Sequence, residues 1–139
     1  MVPDIIINTD GGARGNPGPA AAGAVIRRGS ETIATVATYL GERTNNWAEY
    51  EALILALEIA HDTLGAELAT LSVEVRMDSQ LIVRQIEGRY KVKEPSLKEQ
   101  YARAVYCISQ YAPNTKMVHI PREENKDADK LVNQVLDAQ

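Results

Sequence analysis

The stretch Ile5-Ile-Ile-Asn-Thr-Asp-Gly-Gly-Ala-Arg-Gly-Asn-Pro-Gly-Pro19 joins an apolar run to a segment rich in glycine and proline. The apolar run predicts a core strand over residues 4–9, and Asp10 follows it directly. Four glycines and two prolines then occur within nine residues. Their spacing matches neither the phosphate-binding loop G-x-x-x-x-G-K-[ST] nor the dinucleotide fingerprint G-x-G-x-x-G, and no lysine follows. We therefore do not expect this loop to cradle a nucleotide.

Beyond this stretch, hydrophobic periodicity predicts an α/β chain with the element order βββαβααβα. A hairpin that turns at Gly29-Ser30 follows the first strand, and the later elements alternate between helix and strand. A mixed sheet with helices packed on it is the architecture that suits this order. The predicted strands are 4–9, 20–28, 32–40, 71–77 and 115–120, and the predicted helices are 46–63, 79–87, 95–110 and 125–136.

The bulk composition fits one domain spanning residues 1–139, with 45% hydrophobic and 24% charged residues. No apolar stretch approaches the roughly 18 residues of a membrane span, and the N-terminus lacks the pattern of a signal peptide. We expect a monomer in the cytoplasm, without contact to a membrane. Cys107 is the single cysteine, so no internal disulfide forms, and we expect it to fill a small space in the core.

The charge distribution leaves the mode of any nucleic-acid binding open. The net charge of −4 argues against binding by bulk electrostatics. Between Arg84 and Arg103, however, six basic and three acidic residues give a local net charge of +3. This segment is either a phosphate-facing patch or a solvated surface of mixed charge.

The long predicted helix carries one carboxylate on its apolar side. Glu51, Glu58 and Asp62 form a stripe that we expect to face solvent. At 100° per residue, Glu49 instead shares a row with Leu53 and the alanines that should meet the sheet. A carboxylate that points at the core is unfavourable unless a cation or several donors meet it. The alternative is a first-turn glutamate favoured by the helix dipole.

Three further aspartates lie where predicted elements begin or end. Asp10 and Asp78 each follow a predicted strand, and Asp129 lies early in the last helix. Each has a purely structural alternative, namely an Asx turn for Asp10, a helix N-cap for Asp78 and a favourable dipole contact for Asp129. Together with Glu49, however, they form a cluster of like charges that would be stable with metal ions. Four acids without histidine or cysteine favour Mg²⁺ or Mn²⁺, and two such ions suit in-line displacement at phosphorus.

Four segments carry these acids in order along the chain, and they resemble the four signature blocks of type 1 ribonuclease H. The resemblance spans essentially the whole chain. It implies a ribonuclease H-like fold, a five-stranded mixed sheet with strand 2 antiparallel. It also implies that two Mg²⁺ ions cleave the RNA strand of an RNA/DNA hybrid, leaving 5′-phosphate and 3′-hydroxyl ends. The segments are Asp10-Gly-Gly-Ala-Arg-Gly-Asn-Pro-Gly-Pro, Thr44-Asn-Asn-Trp-Ala-Glu49-Tyr-Glu-Ala-Leu, Met77-Asp78-Ser-Gln and Pro121-Arg-Glu-Glu-Asn125-Lys-Asp-Ala-Asp129.

The same resemblance implies a role for each matching residue. The metal ligands would be Asp10, Glu49, Asp78 and Asp129, with Glu49 also accepting from a 2′-hydroxyl. The glycines after Asp10 would let the nucleic acid approach the backbone without a side-chain clash. The contacts to the RNA minor groove, whose 2′-hydroxyls distinguish RNA from DNA, would come from Gly11, Gly12, Asn16, Asn45 and Gln80. The contacts to the DNA strand would come from Thr44 and Asn46.

Two departures from the family pattern affect substrate binding and product release. The basic, tryptophan-rich protrusion of the tightly binding bacterial enzymes is missing, because Gly88–Pro95 runs straight into the next helix, as in shorter archaeal or retroviral forms. Weaker substrate binding should follow unless the segment 84–103 or a partner compensates. The mobile histidine that assists product release corresponds by gapless counting to His119. His119 also has the alternation of a strand residue, and Arg122 is the better-placed loop side chain.

Two other functions stay open from the sequence. A nuclease or strand-transferase of the same superfamily acting on DNA would keep the acids but would not need Asn16, Asn45 and Gln80. A hybrid-binding module without catalysis is disfavoured because no acid is replaced. Mn²⁺ in place of Mg²⁺ is compatible with the same ligands.

Overall fold

The computed structural model describes residues 2–139 and shows a five-stranded mixed sheet in the spatial order β3-β2-β1-β4-β5. The strands are β1 (Ile5–Ala13), β2 (Gly18–Arg28), β3 (Glu31–Arg43), β4 (Val73–Met77) and β5 (Thr115–His119). β2 is antiparallel to both of its neighbours, whereas β1, β4 and β5 are parallel. The helices are α1 (Asn45–Leu64), α2 (Gln80–Ile86), α3 (Pro95–Tyr111) and α4 (Lys126–Asp137), with 3₁₀ turns at Gly65–Thr70 and Arg122–Glu124. The predicted α/β order and the five-stranded mixed sheet with an antiparallel second strand are confirmed.

The first strand is longer than predicted. β1 continues past Thr9 to Ala13, because β2 keeps pairing with it, and Asp10 lies opposite Gly23. The prediction that Asp10 follows the strand is therefore wrong, and so is the structural alternative of an Asx turn. Asp10 lies inside a strand whose backbone hydrogen bonds fix its position.

The long helix α1 is enclosed on most of its circumference. Thr44 caps it, because the Thr44 hydroxyl accepts from the Trp47 N–H at 3.2 Å, and Gly65 ends it with a φ of +61°. One side packs on the sheet, and α3 covers another side. Glu51 is consequently buried against α3, where Arg103 Nη1 donates to Glu51 Oε1 at 2.7 Å. The prediction that Glu51 faces solvent is wrong, since periodicity alone does not show that a second layer covers that stripe.

The helix α4 packs on the face of the sheet opposite α1. Val132 and Leu136 of α4 form a small cluster with Ala21 of β2. Gly23 makes this approach close, because a Cβ atom there would lie 2.6 Å from the Ala128 carbonyl oxygen. The chain therefore brings one helix start to each face of the sheet, next to the central strand β1.

Other sequence predictions have mixed outcomes. Cys107 is buried, as expected. His61 is half-buried and stacked on Tyr111, with ring centroids 4.2 Å apart. Within the segment 84–103, Arg84 and Arg103 are ion-paired with acids of the chain, which reduces the charge available for phosphate.

Two expectations concern the chain as a whole. Across residues 2–139, no helix has both the length and the apolar character that crossing a membrane requires. That residues 1–139 form a single domain stays a prediction.

Candidate active site

A cleft of about 540 Å³ opens at the end of the sheet where the neighbouring strands β1 and β4 finish. The parallel register of these strands pairs Asn8 with Arg76, so two residues further on Asp10 stands level with Asp78. The starts of α1 and α4 close the cleft from the two faces of the sheet. All four predicted acids lie in its lining, which comprises Asp10, Gly11, Gly12, Ala13, Arg14, Asn45, Asn46, Glu49, Asp78, Ser79, Arg122, Asp129, Val132, Asn133 and Leu136.

Asp78 is free for a role in this cleft because another residue caps the following helix. The Ser79 hydroxyl accepts from the Ile82 N–H at 3.3 Å at the start of α2. The alternative reading of Asp78 as the helix N-cap is therefore wrong. Its carboxylate instead lies next to that of Asp10.

Glu49 points towards the sheet, as its helical row predicts. Its Oε1 atom accepts from the Gly11 N–H at 2.9 Å, and the residue is only 7% exposed. Its other oxygen, Oε2, is buried without a hydrogen-bond partner. Asp10, Glu49 and Asp78 each offer a carboxylate oxygen, and these three oxygens all lie within 4.8 Å of one another.

Burial and the charges of neighbouring acids make Asp10 and Glu49 hard to ionise. Burial, followed by the charges of Asp78 and Asp129, raises the pKa of Asp10 to about 7. Burial, followed by the charge of Asp10, also raises the pKa of Glu49 well above its ordinary value, against the opposing hydrogen bond from Gly11. Near neutral pH Asp10 can therefore bind either a proton or a cation.

These residues fit a hard divalent cation. The three converging ligand atoms are carboxylate oxygens, which suit Mg²⁺ or Mn²⁺ and not zinc. The unpartnered Glu49 Oε2 is a buried acceptor that a cation would satisfy. A divalent ion would also relieve the repulsion that raises the pKa of Asp10.

Asp129 lies at the margin of the cluster, outside the group of three. It is in the first turn of α4 with its side chain 32% exposed, and its Oδ1 is 3.8 Å from Arg122 Nη2. Arg122, in the 3₁₀ turn after β5, lines the cleft with a side chain that is 81% exposed. His119 is the last residue of β5, paired with Met77, and lies outside the cleft lining. Of these two residues, only Arg122 lies in the cleft lining beside the acids.

The predicted substrate contacts divide into two groups. Gly11, Gly12, Asn45 and Asn46 line the cleft, whereas Asn16, Thr44 and Gln80 lie outside its lining. Asn16 is nonetheless joined to the cleft, because its Oδ1 accepts from the Asn45 N–H at 3.0 Å. Asn45 Oδ1 in turn accepts from the Ala13 N–H at 2.7 Å. The side-chain oxygens of both asparagines thus accept hydrogen bonds from backbone N–H groups. Their NH₂ groups have no partner among residues 2–139.

Gly11 has a packing role that the sequence did not predict. A Cβ atom on Gly11 would lie 2.3 Å from the Ala48 carbonyl oxygen, so the missing side chain makes room for α1. The expectation that the nucleic acid also approaches the Gly11 backbone stays a prediction. Gly12 is different, because its nearest neighbour would be a Val132 methyl group at 3.8 Å.

Sequence reasoning missed Asn125, which was read only as the start of the last helix. Asn125 is 1% exposed, and its Nδ2 donates to the Thr9 carbonyl at 2.8 Å and to Asp78 Oδ2 at 3.4 Å. Its Oδ1 accepts from Asn8 Nδ2 at 3.2 Å. Only the tertiary structure shows that this asparagine joins β1, Asp78 and α4. Arg14 and Asn133, which also line the cleft, carried no signal either.

The fold matches those of known proteins closely. A family model described as reverse transcriptase-like matches residues 8–135. The structure of LC11-RNase H1, isolated from compost by a metagenomic approach, superposes with a TM-score of 0.92 at 54% identity, covering 99% of this chain and 98% of that one. A second structure of LC11-RNase H1 is a complex with an RNA/DNA hybrid, at 55% identity and a TM-score of 0.92, covering 96% of this chain and 97% of that one. The fold is thus of the ribonuclease H class.

Relatives in sequence agree with this class. Ribonuclease H of Methylococcus capsulatus is 33% identical over 97% of this chain and 90% of its own length. The bifunctional protein Rv2228c of Mycobacterium tuberculosis is 40% identical over 96% of this chain. The chain spans only 36% of that mycobacterial protein's length. The chain belongs to the ribonuclease H family, in the short form that lacks the basic protrusion.

Proposed function

We propose that this protein is a metal-dependent endonuclease that hydrolyses the RNA strand of RNA/DNA hybrids. The observation that carries the proposal is the convergence of oxygens from Asp10, Glu49 and Asp78 within 4.8 Å of one another. The hybrid complex of LC11-RNase H1, which is 55% identical, supports the same class of substrate. A monomer in the cytoplasm stays the expectation from the sequence.

The acids would hold two Mg²⁺ ions, or Mn²⁺ in their place, with Asp129 as the fourth ligand. When bound, such ions supply Lewis-acid activation of water and stabilisation of the leaving oxygen during in-line displacement. Attack by water at phosphorus with departure of the 3′-oxygen leaves 5′-phosphate and 3′-hydroxyl ends.

The chain's own contribution is to hold these ligands before substrate arrives. The Gly11 N–H fixes one oxygen of Glu49, and the Asn125 amide contacts Asp78. Such pre-organisation matters because a carboxylate that must reorient during the reaction loses part of its electrostatic effect. Arg122 would supply an exposed cation beside Asp129, a position that suits product release better than that of His119 on the strand.

Recognition of the RNA strand would use the free amide groups beside the acids. Because the oxygens of Asn16 and Asn45 are fixed by backbone N–H groups, their NH₂ groups are oriented as donors. A 2′-hydroxyl accepts such a hydrogen bond, and DNA has no equivalent group. Gly12 and Gln80 would complete the minor-groove contacts, with Thr44 and Asn46 on the DNA strand.

The test is cleavage of an end-labelled RNA/DNA hybrid in Mg²⁺, next to an all-DNA duplex of the same sequence. We expect only the RNA to be cut, and Asp78→Asn to abolish turnover while the melting temperature stays within a few degrees. Stability should persist because the substitution relieves repulsion in the metal-free cluster. Asp62→Asn, an exposed aspartate of α1, is the matched control and should keep full activity.

Other outcomes separate the alternatives. Intact RNA with a cleaved all-DNA duplex would identify a DNA nuclease of the same superfamily. Tight hybrid binding without cleavage in Mn²⁺ would identify a binding module. Undiminished activity of Asp78→Asn would contradict the assignment of the acids.

A further inference from the structure

Arg14 occupies the end of the cleft away from Arg122. It follows β1 directly, and its backbone is held by the hydrogen bond from its N–H to the Pro19 carbonyl at 2.9 Å. Its side chain crosses to α4, where Nη2 lies 2.6 Å from Asp137 Oδ1 and 3.3 Å from Asn133 Oδ1. Arg14 and Arg122 are the two cationic residues in the cleft lining described above.

One face of α4 connects the acidic cluster with Arg14. Asp129, Asn133 and Asp137 are spaced four residues apart and lie on the same side of the helix. The rise of the helix puts Asp137 about 12 Å beyond Asp129. A nucleic-acid strand whose scissile phosphate lies at the acids, and which follows this face, would therefore pass Arg14 with a neighbouring phosphate.

The contacts of Arg14 leave it able to bind an anion. Only Nη2 is engaged, so the remaining N–H donors of the guanidinium have no side-chain or backbone acceptor within residues 2–139. The ion pair is open to solvent, with the Arg14 and Asp137 side chains 48% and 69% exposed. An exposed pair of this kind is weak and exchanges readily. A phosphate diester offers the guanidinium the same oxygen acceptors as a carboxylate does.

A contact between Arg14 and a phosphate would offset the negative charge of the cleft. Four carboxylates repel an approaching polyanion, and metal ions at the acids neutralise only the region of the scissile phosphate. A cation further along the strand offsets the repulsion there and fixes the register of the substrate.

We propose that Arg14 is a substrate-binding residue that contacts a backbone phosphate of the cleaved strand, and that Asp137 occupies the place of this phosphate in the free protein. This inference rests on the proposed function, since it names a contact of the same site. It predicts that the Asp137 carboxylate competes with the substrate for Arg14.

The first experiment measures hybrid cleavage by Arg14→Ala. We expect the KM to rise about tenfold, because a charge-assisted hydrogen bond is lost, with kcat changed less than twofold. The salt dependence of hybrid binding, measured with the inactive Asp78→Asn protein, should lose about 0.7–0.9 of a unit in its log–log slope. Arg14→Lys should recover part of the affinity. Arg27→Ala is the matched control, because Arg27 also pairs with an aspartate of α4, Asp127, at 2.5 Å but lies outside the cleft lining.

The second experiment tests competition by Asp137. We expect Asp137→Asn to tighten hybrid binding severalfold in the wild-type background and to have little effect in the Arg14→Ala background. Asp127→Asn removes the same charge from α4 elsewhere and controls for the general loss of a negative charge. If Asp137→Asn raised the affinity for the hybrid equally in both backgrounds, the proposal that Asp137 competes with the substrate would be overturned.

A third comparison tests whether Arg14 contacts the RNA strand or the DNA strand of the hybrid. A hybrid whose DNA strand carries neutral methylphosphonate linkages should retain the full effect of Arg14→Ala, because the contact is to the RNA strand. Loss of the effect on this substrate would overturn the assignment to the cleaved strand, and an unchanged salt slope for Arg14→Ala would overturn the phosphate contact. The proposed function fails separately, since it requires only that the wild-type protein cut the hybrid.

Discussion

Asn125 shows how a single amide side chain holds parts of the site that are distant in sequence. Its NH₂ group donates to the Thr9 carbonyl, next to Asp10, and contacts Asp78, while its oxygen accepts from Asn8. Asn125, Thr9 and Asn8 are buried, with Asn125 only 1% exposed, whereas Asp78 is partly exposed. Replacing the amide would leave buried donors and acceptors unpaired, and each unpaired group is destabilising.

We therefore expect Asn125→Ala to lower the free energy of unfolding by about 3 kcal/mol and to reduce kcat, because Asp78 loses a contact that orients it. Urea denaturation measures the first effect, and hybrid cleavage under saturating substrate measures the second. Asn114→Ala, at an exposed asparagine before β5, should change neither. A stable Asn125→Ala protein with wild-type kcat would show that the amide does not support the site.

At the scale of elements, the distance between β1 and α1 sets the position of Glu49. The two elements approach so closely that a Cβ atom on Gly11 would collide with the Ala48 carbonyl group. The same approach allows the Gly11 N–H to reach Glu49 Oε1 at 2.9 Å. One glycine thus determines both the packing of the helix and the orientation of a predicted metal ligand.

Gly11→Ala should therefore lower the free energy of unfolding by about 3 kcal/mol, because α1 must move to accommodate the methyl group. Activity should fall as well, since Glu49 moves with α1. Gly12→Ala is the matched control, because the nearest atom would lie at an ordinary contact distance of 3.8 Å. Chemical denaturation of both variants decides the question, and equal losses of stability would contradict the steric argument.

At the scale of the whole molecule, folding forces carboxylates together and so couples stability to pH. The pKa of Asp10 is about 7 in the folded protein, compared with its ordinary value of 3.8. Between these values the folded state keeps a proton that the unfolded chain has lost. Stability of the metal-free protein therefore falls as the pH rises from about 4 to about 7, and Glu49, whose pKa is also raised, contributes in the same direction.

We expect thermal unfolding in a chelator to show a lower midpoint at pH 8 than at pH 5, equivalent to a loss on the order of a few kcal/mol. Millimolar Mg²⁺ or Mn²⁺ should raise the midpoint more at pH 8, because the ions bind the ionised carboxylates. Asp10→Asn should make the pH dependence shallower. A midpoint that does not fall between pH 5 and pH 8, or an undiminished slope in Asp10→Asn, would contradict the assigned pKa.

The sequence by itself determined the element order, the mixed sheet and the three acids whose oxygens converge. Strand and helix periods are local properties of the chain, and they were sufficient to put Glu49 on the inner row of α1 and Asp78 at the end of β4. The four ordered acid blocks also identified the family.

The tertiary structure decided what depends on neighbours that are distant in the chain. It buried Glu51, because α3 covers that side of α1, and it kept Asp10 inside a strand, because β2 continues to pair there. It also assigned Asn125 to the site and joined Arg14 to Asp137, contacts that span 47 and 123 residues of sequence. Hydrogen bonds and packing over such separations leave no local periodicity, so no pattern in the chain predicts them.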